Sequence, residues 1–180
     1  MLTVYIPPME VWDERNNKFV NIKGGTLQLE HSLVSISKWE SRWNKPFLTK
    51  DKKTSEQLLD YIKCMTITQN VDPDTFNYIP KSILNKIVAY INSPMTATTF
   101  SQHDTKGGSR EIITSELIYF WMSHYGIPFE CQKWHLNRLL TLIRICNVKN
   151  QPAKKMGKKE LLSRNAQLNA ARRKKLNTRG

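Results

Sequence analysis

The spacing of apolar residues changes at Ser32. Before it they come in short β-branched runs or alternate with polar residues, and after it they return every three or four positions. Leu2–Ile6 (LTVYI) is β-branched and aromatic and predicts a strand that Pro7-Pro8 stops. Val11-Trp12 and Phe19 to Ile22 flank Arg15-Asn16-Asn17-Lys18, a turn-prone run that predicts a hairpin. Gly24-Gly25 predicts a further turn, and beyond it Leu27 and Leu29 should face inward with Gln28 outward. The sum is a small antiparallel sheet of two to four strands. A sheet of that size is not stable alone and must pack on helices.

From Ser32 onward the period is helical. Leu33, Ile36, Trp39 and Trp43 mark one face of a helix over Leu33–Trp43, ended by Asn44-Lys45-Pro46. Thr54 with Gln57 three residues on forms a capping box before residues 55–66, where Leu58, Leu59, Ile62 and Met65 make the expected apolar stripe. Asp72-Pro73 caps one short turn reaching Tyr78. Pro80 opens a helix over Lys81–Asn92 with Ile83, Leu84, Ile87, Val88 and Ile91 on one side. Residues 93–108 have no period, and a loop this long within a compact domain is unusual.

Residues 109–147 are the stretch around which the chain is expected to organise, as two helices folded back about residues 125–128. Ser109 is the expected N-cap, with Glu111 in the first turn where the helix dipole favours negative charge. Residues 117–122 are apolar on every side, which predicts burial on more than one face. Gly126 suits the left-handed residue ending that helix, and Pro128 the start of the next. On the second helix Phe129, Leu136, Leu139, Leu140 and Ile143 would face inward, with Lys133, Asn137, Arg138 and Arg144 in water.

Charge then divides the chain. The formal net charge is +13, of which +10 lies from Asn147 to the C-terminus, with eleven Lys or Arg against the single acid Glu160. Residues 1–146 hold seventeen bases and fourteen acids, a balance of +3. Residues 1–147 are therefore read as a folded domain and 148–180 as a basic linker followed by a helical or disordered tail. Residues 158–175 are rich in helix formers but have only a thin apolar stripe, so that helix has little to bury. The fold class expected is α+β, predominantly α-helical, with a small N-terminal antiparallel sheet packed on a helical bundle and a basic C-terminal helix or tail.

The odd set Cys64, Cys131 and Cys146, without close spacing, fits a reduced intracellular chain. No signal peptide is visible, and no apolar run approaches the ~20 residues that span a bilayer, so no membrane partner is expected. Chemistry finds little support. Cys131 and His135 have i, i+4 spacing, but His31, His103 and His124 supply no second pair for a zinc site. The same two residues lack the orienting group and oxyanion-binding turn a thiol nucleophile needs. Lys106-Gly107-Gly108-Ser109 does not have the frame of a phosphate-binding loop. Trp134 and Leu136 stand where a helix-turn-helix recognition helix would present polar residues. The expectation is a non-enzymatic chain with no cofactor and no metal.

Two features point to binding. The tail residues Lys154, Lys155, Lys158, Lys159, Arg164, Arg172, Arg173, Lys174 and Lys175 would attract an acidic protein surface or phosphates. The tail has no aromatic residue for base stacking, so any nucleic-acid binding by it would be blind to sequence. The large amphipathic side chains Trp39, Trp43, Trp121 and Trp134 are candidate anchors for a partner helix in a groove.

Four strings together carry a resemblance: LQLEHSLVSISKWESRWNKPFL (27–48), REIITSELIYFWM (110–122), IPFECQKWHLNRLLTLIRICN (127–147) and KKELLSRNAQLNAARR (158–173). They resemble a family of small proteins of tailed bacteriophages, the tail assembly chaperones. The resemblance implies a non-enzymatic chaperone in the host cytoplasm, made in short and frameshift-extended forms. It would bind the tape measure protein, with other tail subunits and further copies of itself as possible partners. The alternative is a structural virion protein, head–tail joining or capsid-associated, or a nucleic-acid-contacting protein using the basic tail.

Overall fold

The computed structural model of the chain describes residues 1–14, 17–99, 111–150 and 157–177. By their contacts the residues form two units, Met1–Cys146 and Asn147–Gly180. The first is the predominantly helical α+β arrangement that the hydrophobic pattern predicts.

Its strands are β1 (Leu2–Ile6), β2 (Met9–Asp13), β3 (Lys18–Ile22) and β4 (Gly25–Leu29). β1 pairs antiparallel with β4, Leu2 opposite Leu29, and β2 with β3, Met9 opposite Ile22. Both ladders keep one register, so the four strands make a single long ribbon interrupted where Pro7-Pro8 face Lys23-Gly24. Proline has no N–H to donate, and the ladder must lapse there. Gly24-Gly25 is thus not the expected chain reversal. Gly24 has φ +69°, and a Cβ on it would lie 2.6 Å from both the Ile6 carbonyl oxygen and the Pro8 nitrogen. Only glycine lets the returning arm pass this close to the prolines. Val4, Ile6, Ile22, Leu27 and Leu29 point into the core, and Gln28 points out as expected. Residues 66–68 add to the free edge of β4, with Ile67 N–H donating to the Gln28 carbonyl at 2.8 Å and Glu30 N–H to the Met65 carbonyl at 2.9 Å.

Helix α1 (Leu33–Trp43) is central. Ser32 and Ser35 cap its start reciprocally, and Asn44 ends it in the left-handed conformation. It packs on α2 (Ser55–Met65) and on α5 (Ser115–His124), while α3 (Pro73–Asn77) leans on α2 and α4 (Lys81–Asn92) on β1. The Thr54–Gln57 capping box is present. The buried face of α2 is nevertheless rotated from the expected stripe, to Gln57, Tyr61, Ile62, Cys64 and Met65, leaving Leu58 exposed. Tyr61 explains the rotation, because its hydroxyl finds His31 Nδ1 and Ser35 Oγ inside, while the Gln57 backbone carbonyl accepts the Trp39 indole N–H at 2.9 Å. Likewise α4 buries Ile83 and Ile87 but leaves Val88 exposed.

The central pair departs most from expectation. Ser109 lies outside the described residues, and α5 begins at Ser115 with Thr114 as N-cap, so Glu111 precedes the helix and Glu116 occupies its first turn. The helix is not buried on several sides. Ser115, Ile118 and Met122 are buried, whereas Phe120 is 60% exposed. The second helix does not begin at Pro128 either. A 3₁₀ turn, Phe129–Lys133, comes first, with Phe129 in solvent, and α6 (Leu136–Asn150) follows. The break at Trp134-His135 has a cause: His135 bridges to Ser32 as in a sheet, and Leu136 N–H donates to the His31 carbonyl at 2.7 Å. α6 also takes in Val148 to Asn150, which the sequence reading gave to the linker. Of residues 93–108, those from 93 to 99 form neither helix nor strand, and the rest lie outside the described residues, as does 106–109.

In the second unit, which the sequence leaves open as helical or disordered, α7 (Lys158–Leu176) is a helix, and each of its described side chains is exposed.

Candidate functional site

Three buried polar groups hold the body together. Glu40, 7% exposed, accepts the Phe47 N–H on one oxygen and the Ser115 N–H on the other, both at 2.7 Å. Its carboxylate thereby ties the end of α1 to the first residue of α5, where the helix dipole also favours negative charge. The second group is His31, whose Nδ1 is hydrogen-bonded to the Tyr61 hydroxyl, itself 3.3 Å from Ser35 Oγ. Burial, and less strongly the neighbouring His135, lower the His31 pKa from 6.5 to about 3. Burial likewise raises the Tyr61 hydroxyl well above its ordinary range.

The third is His135, with its ring 5.0 Å from that of His31. Its Nδ1 accepts the Asn137 N–H at 3.3 Å, so Nε2 carries the proton and donates to the Tyr90 carbonyl at 3.0 Å. Burial holds its pKa below the ordinary value, against the pull of the Tyr90 carbonyl and of Glu30. Glu30 in turn accepts the Tyr90 hydroxyl at 2.5 Å and pairs with the N-terminal amine at 2.8 Å. This cluster has a histidine, a serine and a tyrosine together, but Ser35 Oγ donates to the Ser32 carbonyl at 2.8 Å and is spent in capping. Among the described residues every buried side-chain nitrogen or oxygen has a partner. The cluster is saturated, and it closes the junction between β4, α1, α4 and α6.

Cys131 and His135 do not share a helix face, since the helix break separates them. Among the described residues no three His, Cys, Asp or Glu side chains gather as a metal-binding group. Nor is any described helix long and apolar enough to cross a membrane. Cys64, Cys131 and Cys146 are free thiols.

The surface offers more. A groove of about 1030 Å³ is walled by Trp12, Trp43, Leu59 and Tyr78. Five carboxylates line it, Asp13, Glu14, Glu56, Asp60 and Asp74, against one ammonium, Lys63. Asp60 is already engaged, receiving the Arg42 guanidinium at 2.7 Å and the Trp43 indole N–H at 2.9 Å.

The expected tryptophan anchors separate. Trp39 is 1% exposed and committed to the core, so it cannot anchor a partner. Trp43 is half-buried and walls the groove; Trp121 and Trp134 are half-buried elsewhere, Trp134 under the Arg138 guanidinium at 4.2 Å. Trp12 was missed. It stands 45% exposed on the outer ribbon, edge-on to Phe19 with ring centroids 4.9 Å apart. Its place in a strand pattern near a turn, paired with Phe19, was the available signal.

A second surface runs along the outer side of α5 and the 3₁₀ turn. Phe120 stacks on His124, Tyr119 lies against Phe129, and Phe129 is 56% exposed. Ile112, just ahead of the helix, is 61% exposed. Of the tail cations, Lys159, Arg164, Arg172, Arg173, Lys174 and Lys175 are exposed on α7; Lys154 and Lys155 lie outside the described residues, as does the side chain of Lys158.

Set against protein-family models, curated proteins and solved structures, the chain matches none of them.

Proposed function

We propose that this chain is a non-enzymatic tail assembly chaperone of the tailed-bacteriophage kind, whose folded body holds an amphipathic segment of the tape measure protein. The supporting observation is the outer side of α5. Sequence alone would bury Phe120, yet it stands 60% exposed and stacked on His124, in a helix whose opposite side buries Ile118 and Met122. An apolar helical face of this kind suits helix-on-groove recognition, in which spaced large side chains anchor the partner. Phe120 and Phe129 are 60% and 56% exposed, so covering what remains of each contributes roughly 1–2 kcal/mol. The four sequence strings that resemble tail assembly chaperones give the partner its name, and the first eight residues of α5 lie in one of them.

The test is co-expression with the tape measure protein, reading how much of it stays soluble and how much is pulled down. Phe120→Asp with Phe129→Asp should lower affinity by about tenfold or more. An unchanged complex would remove α5 from the interface and the support from the assignment.

A second reading has its own observation, the exposed cations of α7. They suit a structural virion or nucleic-acid-contacting role through phosphates. Such binding would fall by orders of magnitude between roughly 50 and 200 mM salt, whereas binding to the α5 face would change little.

A further inference from the structure

The acidic groove is at odds with the rest of the molecule. The chain carries +13 overall and its first 146 residues +3, yet five of the fourteen acids in that part line a single concavity. The acids come from three separate places, the end of the β2 arm (Asp13, Glu14), α2 (Glu56, Asp60) and α3 (Asp74). Among the described residues they form no metal-binding group. Two indole side chains, Trp12 and Trp43, line the groove beside these carboxylates. Carboxylates around aromatic walls are the chemistry of a site for Lys and Arg side chains, since indole faces attract cations and the carboxylates pair with them. The chain already uses this contact, with the Arg138 guanidinium 4.2 Å above the Trp134 ring and the Lys53 ammonium 4.4 Å above Phe47.

We infer that the groove takes the basic α7 segment of a second copy of this chain, so that copies associate body to tail. The complement is on the same sequence. α7 exposes Arg172, Arg173, Lys174 and Lys175 consecutively at its C-terminal end, with Lys159 and Arg164 nearer its start. Its apolar side chains Leu161, Leu162 and Leu168 are 47%, 60% and 46% exposed, so it has apolar area still to cover. Such a contact uses two different surfaces and is heterologous, which extends to rings or open chains of copies rather than closing as a two-fold pair. The contact is electrostatic and partly exposed, so it weakens with salt. The inference is independent of the chaperone assignment, because it uses neither α5 nor the tape measure protein.

Sedimentation velocity of the full chain tests it, over a range of concentration and at about 50 and 500 mM salt. The wild type should associate at low salt beyond a dimer and dissociate at high salt. Two variants keep the result interpretable, both checked for native circular dichroism. One reverses the groove, Glu14→Lys with Glu56→Lys and Asp74→Lys; the other reverses the tail, Arg172→Glu, Arg173→Glu, Lys174→Glu and Lys175→Glu. Each alone should weaken self-association by about tenfold or more. Mixed together, the two variants should associate with each other, because the reversed tail meets the reversed groove. A wild type that stays monomeric at low salt would overturn the inference, and so would association indifferent to groove reversal. Tail protection from protease that depends on the groove without any change of mass would assign the contact to one chain alone and overturn it too.

Discussion

Helices α1 and α7 are alike in secondary structure and opposite in what maintains them. α1 buries Leu33, Ser35, Ile36, Trp39 and Glu40, and its capping serines, its tryptophans and its one buried carboxylate all have tertiary partners. α7 has good helix formers, and its described side chains are all exposed. The first helix is fixed by what surrounds it and should melt only with the body. The second rests on local propensity, which gives a marginal helix at this length and one that responds to single residues. The contrast is between a cooperative unit and a segment whose helix depends on its own residues.

The sharpest way to break that contrast is Glu40→Ala. It leaves the Phe47 and Ser115 N–H groups without their acceptor and should cost about 3–4 kcal/mol, each buried bond to a charged group being worth roughly 1.5–3. Denaturant unfolding followed by near-ultraviolet circular dichroism would read it. A loss below 1 kcal/mol would mean the carboxylate is not what joins α1 to α5. Next, Gly24→Ala forces a side chain into a left-handed backbone against Ile6 and Pro8, and should cost about 2–3 kcal/mol by the same measurement.

Acid should act on the body alone. The folded-state pKa of His31, about 3, lies below its ordinary 6.5, so the folded state binds fewer protons than the unfolded one between those values. The stability from keeping it neutral is present in full above pH 6.5 and is lost as pH falls toward 3. His135 shifts in the same direction. The slope from His31 should reach about 1.4 kcal/mol per pH unit, and His31→Gln should flatten it. An equal slope in that variant would move the effect to other groups. The smallest effect belongs to the tail. Ala170→Gly should cost about 1 kcal/mol of local helix stability, lowering far-ultraviolet helicity while the thermal midpoint of the body stays put. A shift of that midpoint would show that α7 is stabilised by the body after all.

Much of this was legible in the residues. The limits of α1 and α4, the Thr54–Gln57 box, the Asp72 cap, the inward Leu27 and Leu29 and the helix in the tail all follow from short-range signals, namely spacing, caps and breakers. The candidate site was much less so. Trp43 was found, Trp39 proved to be core, and Trp12 and the acidic groove were not seen, because Asp13, Glu56 and Asp74 are far apart in sequence and meet only when the ribbon, α2 and α3 are assembled.

The sequence by itself determined where helices and strands begin and end over most of the body, and that positive charge collects after residue 146, because those properties depend on neighbours within a turn or two. Tertiary structure decided which face of a helix is wet and where a helix is interrupted. Residues 117–122 of α5 are apolar all round, so their composition could not say that Phe120 would be left outside. His135 could have continued a helix, but the buried backbone of His31 and Ser32 needed partners, and satisfying those groups outweighed a longer helix.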